Sequence, residues 1–123
     1  MHWYSATLIN VLRLRAGKQD AYPVWEDVCL IEARDDDEAF RKAEALGKSR
    51  ECDDPTLTLD DEPATISFLG VRKISRVLNS LDVPESRAPS HGSEVSFSKY
   101  NVSTMEDLEK LVRGESVAVV YVE

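Results

Sequence analysis

Polar and apolar residues alternate in two segments near the start of the chain. Residues 3–15 read WYSATLINVLRLR, where the even positions are mostly apolar and β-branched residues fall between them. Residues 24–34, VWEDVCLIEAR, resume the alternation after a short segment that contains the turn formers Gly, Asp and Pro. Alternation with a period of two indicates strands, and a short polar loop between them favours antiparallel pairing. We therefore predict a β-hairpin.

The pattern changes to a helical one in residues 32–47, EARDDDEAFRKAEALG. Asp35 and Glu38 have the spacing of a capping box, in which side chains accept hydrogen bonds from the unpaired N–H groups of a helix start. Consecutive carboxylates on a helix diverge by about 100°, so they do not converge on one metal ion. We therefore predict that this acidic cluster starts a helix, with Asp36 and Asp37 pointing outward.

Behind this cap, apolar residues recur at the spacing of one helix face. The predicted stripe consists of Ala39, Phe40, Ala43 and Leu46. Such a stripe faces a core in an amphipathic helix. Gly47 follows it, and glycine is common where helices end.

Three further strands are predicted downstream. They cover residues 64–79, in which Gly70 indicates a bulge, residues 94–102, and residues 117–123, VAVVYVE. The last segment is apolar on both faces, and an exposed edge of this kind would invite pairing with other chains. We therefore expect this strand inside its own sheet, with an interface to a second copy as the alternative.

A second amphipathic helix is predicted before that last strand. Ser103 and Glu106 repeat the capping-box spacing, and Gly114 marks the end of the helix. Its apolar stripe consists of Met105, Leu108, Leu111 and Val112.

The predicted element order is thus β-β-α-β-β-α-β. We expect a two-layer α+β fold with a mainly antiparallel sheet of about five strands and two helices on one face, the strand order being left open. A chain of 123 residues fits one domain, residues 1–123.

Composition and charge narrow the class of protein. Apolar residues make up 42% and charged residues 31% of the chain, which is typical of a globular protein. The net charge of -8 disfavours nucleic-acid binding, which depends on Lys and Arg contacts to phosphate. No apolar run approaches the roughly 18 residues of a membrane span, and the first residues lack the features of a secretory signal. We expect a cytoplasmic protein that binds neither nucleic acid nor membrane.

The residues that most often bind metals are scattered. Cys29 and Cys52 do not form a C-x-x-C pair, and His2 and His91 lack helical zinc-site spacing. Two free thiols are expected in a reducing cytosol, and we predict no metal site and no cofactor.

Several segments together resemble a family catalogued as domain of unknown function 4288. They are WYSA at Trp3, VWED at Val24, EARDDDEAFRKAEALG, ISFLGV at Ile66 and GSEV at Gly92. The resemblance spans Trp3 to Val102. The family usually has a Tyr-Ser-Arg-like step after Glu-Val, where this chain has Ser96, Phe97 and Ser98. The resemblance implies a compact bacterial domain without an assigned activity, and it carries over no catalytic residue.

Two classes of function are compatible with these features. The first is a noncatalytic interaction module, of a regulatory or immunity type, that binds a basic protein partner through its acidic surface. We expect a monomer in this case, with a homodimer as the alternative. No nucleophile elbow and no glycine-rich phosphate loop occurs in the sequence, so we do not expect an enzyme.

The second class is a small-molecule-binding protein or enzyme with a pocket between the sheet and the helices. The aromatic residues proposed to line it are Trp3, Tyr4, Trp25 and Tyr100. Packing in the core or on the sheet is the competing role for each of them.

Overall fold

The computed structural model describes residues 1–52, 54–79 and 88–122, which contain six strands and two helices. In chain order the elements are β1 His2–Leu14, β2 Val24–Ala33, α1 Asp36–Ser49, β3 Thr58–Leu59, β4 Glu62–Arg76, β5 Tyr100–Asn101, α2 Met105–Val112 and β6 Val120–Tyr121. The predicted α+β class with a mainly antiparallel sheet is confirmed. No helix in the described ranges is long and apolar enough to cross a membrane.

The main sheet has the order β2-β1-β4-β3, with every pair antiparallel. The predicted hairpin is confirmed, since β1 and β2 pair in unbroken register from His2 opposite Ala33 to Val11 opposite Val24. The pairing of β1 with β4 has two register shifts, which fall on either side of Gly70 and Val71. The predicted irregularity at Gly70 is therefore present, and it bends the strand that lies beside β1.

The core lies between this sheet and α1. Strand residues alternate between faces, so the even residues of β1 point towards the helix. They meet small helix residues, which lets the helix approach the sheet closely. The buried cluster consists of Tyr4, Ala6, Leu8, Ile31, Ala33, Ala39 and Ala43.

The start of α1 confirms the predicted role of Asp35. Its Oδ1 atom accepts a hydrogen bond from the N–H of Glu38 at 2.8 Å. The reciprocal bond to the Glu38 side chain comes from the backbone of Arg34, at 3.3 Å, and the Arg34 guanidinium bonds the same carboxylate at 2.6 Å. The acidic cluster therefore starts a helix.

Two expectations for α1 are wrong, namely its end at Gly47 and the place of Phe40 in the buried stripe. The helix continues past Gly47 to Ser49, and Arg50 is its C-cap. Gly47 is buried because the ring of Phe68 packs on it: a Cβ atom at Gly47 would lie 2.3 Å from that ring. Phe40 points away from the buried stripe and is 41% exposed.

The second helix differs from its predicted arrangement in two respects. Its N-cap is Thr104 rather than Ser103, with Thr104 Oγ1 accepting from the N–H of Asp107 at 3.0 Å. In the described chain, no Cα atom of α2 lies within 8 Å of one in a strand or in α1, and none of its residues is buried. Of the two helices described, α1 alone packs on the sheet, so they do not share a face of it.

The last two predicted strands are much shorter than expected. Only Tyr100 and Asn101 of residues 94–102 form a strand, and Glu94 adds a single bridge to Leu78. Of residues 117–123, Val120 and Tyr121 pair with β5 in a separate two-stranded sheet, while Glu123 lies outside the described residues. The expectation of an interior last strand is wrong. β1 is already paired on both sides, by β2 and β4, so no position beside β1 is open to the last strand.

Candidate functional site

A pocket of about 220 Å³ lies on the helix side of the sheet, next to the end of α1. We call it the α1-end pocket. It is lined by Asn10, Trp25, Asp27, Arg50 and Ile66. Asn10 and Trp25 are directly opposite each other on β1 and β2, and Asp27 is two residues further along β2 on the same face. Arg50 is the residue that ends α1.

The polar centre of this pocket is Asn10. It interrupts the apolar series of even residues on β1 and is only 5% exposed. Its Nδ2 atom donates to Asp27 Oδ2 at 2.8 Å. Because an ionised carboxylate only accepts hydrogen bonds, the amide NH₂ must face Asp27. The Oδ1 atom is then shielded from solvent and has no hydrogen-bond partner among the described residues. Leaving a buried acceptor unpaired typically costs about 1–3 kcal/mol.

Arg50 brings a positive charge to the same pocket. Its Nη1 atom lies 3.0 Å from the Sγ atom of Cys29, which is a weak acceptor. Cys29 follows Asp27 by two residues on the same face of β2, a spacing of roughly 7 Å. Neither Asp27 nor Arg50 has an ion-pair partner within the described ranges. The pocket therefore presents one carboxylate and one guanidinium that are not neutralised by protein charges.

A second concavity, of about 290 Å³, lies on the opposite face of the sheet. Its cations hold the C-terminal part of the chain against the sheet. Arg72 lies 4.6 Å from the centroid of the Tyr121 ring, with Nε 3.7 Å from Glu26. Lys73 Nζ bonds the carbonyl of Phe97 and lies 5.1 Å from the centroid of its ring. The Ser96, Phe97 and Ser98 step therefore forms part of a packing seam.

β2 forms one edge of the main sheet. On the face away from α1, the alternating residues of this strand are Glu26, Val28, Leu30 and Glu32, all of them exposed. Two apolar side chains thus lie between two carboxylates. At one end, Lys42 Nζ donates to the carbonyl of Glu32 at 2.7 Å and closes part of the edge. We call the four residues the β2 edge surface.

The aromatic residues predicted to line one pocket are placed apart. Trp3 and Tyr4 are neighbours on β1 and therefore point to opposite faces of the sheet. Tyr4 belongs to the core and is 2% exposed. Burial first, and then the negative charge of Asp36, raises the pKa of Tyr4. Asp36 is exposed, as expected, and its charge also influences the Tyr4 hydroxyl.

The other two aromatic residues lie in different environments. Trp25 is 47% exposed and lines the α1-end pocket. Tyr100 packs edge-on against Tyr121, with ring centroids 5.6 Å apart, in the small C-terminal sheet. Among the four candidates, only Trp25 lines one of the two pockets described above.

The sequence pattern did not identify the polar residues of the α1-end pocket as members of a site. Asn10, Asp27 and Arg50 belong to three different elements, and no local motif joins them. The one available signal was Asn10, a polar residue at an even position of an otherwise mostly apolar series. No group of three or more His, Cys, Asp or Glu residues in the described chain is arranged to hold a metal ion.

These features define a small α+β protein with a curved antiparallel sheet, one covering helix and a polar pocket at the end of that helix. The chain belongs to the family described as a domain of unknown function, DUF4288, whose model matches residues 3–96. The resemblance seen in the sequence is confirmed, although the match ends at Ser96 rather than Val102. No curated protein and no solved structure matches the chain. Family membership thus assigns no activity, and α2 and β6 lie outside the matched region.

Proposed function

We propose that the protein is a noncatalytic interaction module that binds an extended, basic segment of a partner protein along the free edge of β2. The observation that carries this proposal is the edge itself. β2 is ten residues long, pairs with β1 without a bulge, and contains no proline. Natural edge strands are usually shortened, bulged or interrupted, since an open edge recruits other strands.

Strand addition would use the backbone of β2 for affinity and its side chains for specificity. On the β2 edge surface, Val28 and Leu30 would pack against apolar side chains of the added strand. Glu26 and Glu32 lie six residues apart, which is roughly 20 Å along a strand. A complementary segment would carry basic residues at the same separation, with two apolar residues between them. The net charge of -8 would favour the approach of such a segment.

Charge also argues against a second copy as the occupant. In a symmetric antiparallel pairing of two β2 strands, Val28 lies opposite Leu30 of the second copy when Cys29 is at the centre. The same register puts Glu26 opposite Glu32 of the second copy. Like charges directly opposite each other are destabilising. A basic residue opposite Glu32 makes that contact favourable, and a basic residue opposite Glu26 shares a carboxylate that already pairs with Arg72. We therefore propose a monomer that binds another protein.

We further propose that the module acts in the cytoplasm. Cys29 and Cys52 are both unpaired, and free thiols are the usual state in a reducing compartment.

The test is selection of a random peptide library on the immobilised full chain. The expected peptides carry Lys or Arg six positions apart around two apolar residues. The variant Val28→Lys with Leu30→Lys should lose binding at least tenfold, while Val112→Lys, at an 87% exposed position of α2, should bind as the unmodified chain does. Replacing Glu26 and Glu32 by Lys should shift selection towards acidic peptides.

Three outcomes would overturn the proposal. They are the absence of any enriched peptide, enriched peptides without basic residues, and peptide binding that survives in the Val28→Lys, Leu30→Lys variant. Light scattering adds a separate check. A dimer that dissociates in the Val28→Lys, Leu30→Lys variant would make a second copy the occupant.

A further inference from the structure

We infer that the α1-end pocket is a binding site for a small apolar α-amino acid. This site lies on the face of β2 that points towards α1, whereas the β2 edge surface lies on the other face. The inference rests on three features of the pocket: an unpaired acceptor on a buried side chain, two opposite charges without an ion-pair partner among the described residues, and an apolar wall.

The ammonium group of the ligand fits the acidic side of the pocket. An ammonium offers three hydrogen-bond donors and no acceptor. Asp27 supplies the opposite charge, and a small shift of the Asn10 side chain would let its shielded Oδ1 atom, which has no partner in the described protein, accept a further hydrogen bond. A donor from the ligand would remove the cost of that orphan acceptor. Asn10 already holds the Asp27 carboxylate in place through its Nδ2 atom at 2.8 Å.

The carboxylate of the ligand fits Arg50. A guanidinium binds a carboxylate through charge-assisted and often paired hydrogen bonds. The contact between Arg50 and the Cys29 sulfur is weak by comparison, so a carboxylate would displace it. An α-amino acid with one hydrogen bond at each end spans roughly 8 Å. Asp27 and Cys29 are two residues apart on β2, so the carboxylate and the guanidinium beside Cys29 are close enough for one such ligand to reach both.

The volume of the pocket and its apolar lining residues determine which ligand side chain fits. The volume of about 220 Å³ is below the roughly 300–1,000 Å³ of pockets for drug-sized ligands. Trp25 and Ile66 form the apolar part of the lining. A branched side chain of the size of leucine would fit between them, and burial of its methyl groups would add affinity.

The experiment is calorimetric titration of the full chain with leucine, alongside N-acetylleucine and 3-methylbutylamine. The first analogue lacks the ammonium group, and the second lacks the carboxylate. Leucine should bind at least tenfold more tightly than either analogue. This comparison needs no substitution in the protein, so it holds even if pocket variants fold poorly.

Matched variants locate the site. Asp27→Asn and Arg50→Gln should each weaken leucine binding at least tenfold. Glu26→Gln removes a carboxylate from the adjacent position on the other face of β2 and should leave leucine binding unchanged. Circular dichroism confirms that each variant is folded before titration.

The inference is overturned if leucine, isoleucine, valine and methionine all fail to bind at millimolar concentration. It is also overturned if either analogue binds as tightly as leucine, or if Glu26→Gln weakens binding as much as Asp27→Asn does. None of these results depends on peptide binding at the β2 edge surface.

Discussion

At the scale of single residues, Asp35 has one defined task at the start of α1. Its side chain accepts the hydrogen bond of an N–H group that the helix cannot pair internally. Asp35→Ala should therefore lower the free energy of unfolding by about 0.5–2 kcal/mol, the usual cost of losing an N-cap. Urea denaturation measures this change. Asp37→Asn is the matched control and should change little; an equal loss in both variants would contradict a specific cap.

Gly47 is constrained by packing rather than by its backbone. In an ordinary helix, Gly→Ala stabilises by about 1 kcal/mol, but here the added methyl group would overlap the Phe68 ring. We expect Gly47→Ala to destabilise the protein by about 1–3 kcal/mol, as overpacked core variants do. Gly70→Ala is the control, because a Cβ atom there meets nothing within 4 Å.

A double variant tests whether the Phe68 ring causes the destabilisation expected for Gly47→Ala. Combining Gly47→Ala with Phe68→Leu removes the ring that the new methyl group meets. Thermal or urea unfolding of the double variant should show less destabilisation than the sum of the two single variants. Strict additivity would mean that Phe68 is not the obstacle.

Tyr4 makes the stability of the fold sensitive to high pH. Its pKa is raised in the folded protein, mainly by burial and then by Asp36. An unfolded tyrosine ionises near pH 10, so the stabilisation from neutral Tyr4 is fully present below that pH. It is lost as the pH rises from there through the raised pKa. Urea denaturation between about pH 9 and pH 11 should show this loss. Tyr4→Phe should show a smaller decrease over the same range, and an identical decrease would rule out Tyr4 as its source.

At the scale of elements, the two helices have the same type of pattern and different surroundings. α1 buries Ala39 and Ala43 against the sheet, whereas the stripe of α2 remains accessible. Val112→Glu should therefore change the free energy of unfolding by no more than about 0.5 kcal/mol, as surface substitutions do. Ala43→Leu should cost about 1–3 kcal/mol, because it overpacks the interface between α1 and the sheet. A large loss for Val112→Glu in urea denaturation would show that α2 is covered in solution.

At the scale of the whole molecule, β6 adds little to the main sheet. A chain that ends at Ser116 loses the edge-on contact of Tyr121 with Tyr100 and its contact with Arg72. Contacts of these two kinds contribute about 0.5–1.5 and 0.5–1 kcal/mol. We expect the shortened chain to unfold cooperatively, with a free energy of unfolding that is lower by about 1–2.5 kcal/mol. Calorimetry and light scattering would contradict this if the shortened chain were insoluble or lacked a cooperative transition.

Local patterns were sufficient for three features that depend on neighbouring residues. The hairpin followed from the period of two, and the start of α1 followed from Asp35 and its spacing to Glu38. The irregularity at Gly70 could be placed for the same reason. Each of these features is set by steric and hydrogen-bonding preferences within a few residues, which the sequence displays directly.

The candidate sites were not accessible in this way. Asn10, Asp27 and Arg50 are far apart in the chain, and only the pairing of β1 with β2 and the end point of α1 bring them together. Of the predicted aromatic residues, Trp25 lines that pocket, while Tyr4 lies in the core and Tyr100 in another sheet. An isolated polar or aromatic residue carries no spacing signal for a partner on a different element.

The sequence by itself thus determined the first hairpin, the long strand that contains Gly70, the presence of two helices and the residue that starts α1, because those outcomes depend on short-range hydrogen bonds and alternation. Tertiary structure decided which amphipathic surfaces are covered. α1 occupies the helix side of the sheet, β1 is paired on both sides, and residues 117–122 are left to a small separate sheet. Several apolar surfaces of the chain could cover the limited area of the sheet. Because the hydrophobic effect is nondirectional, the local pattern does not specify which of them becomes buried.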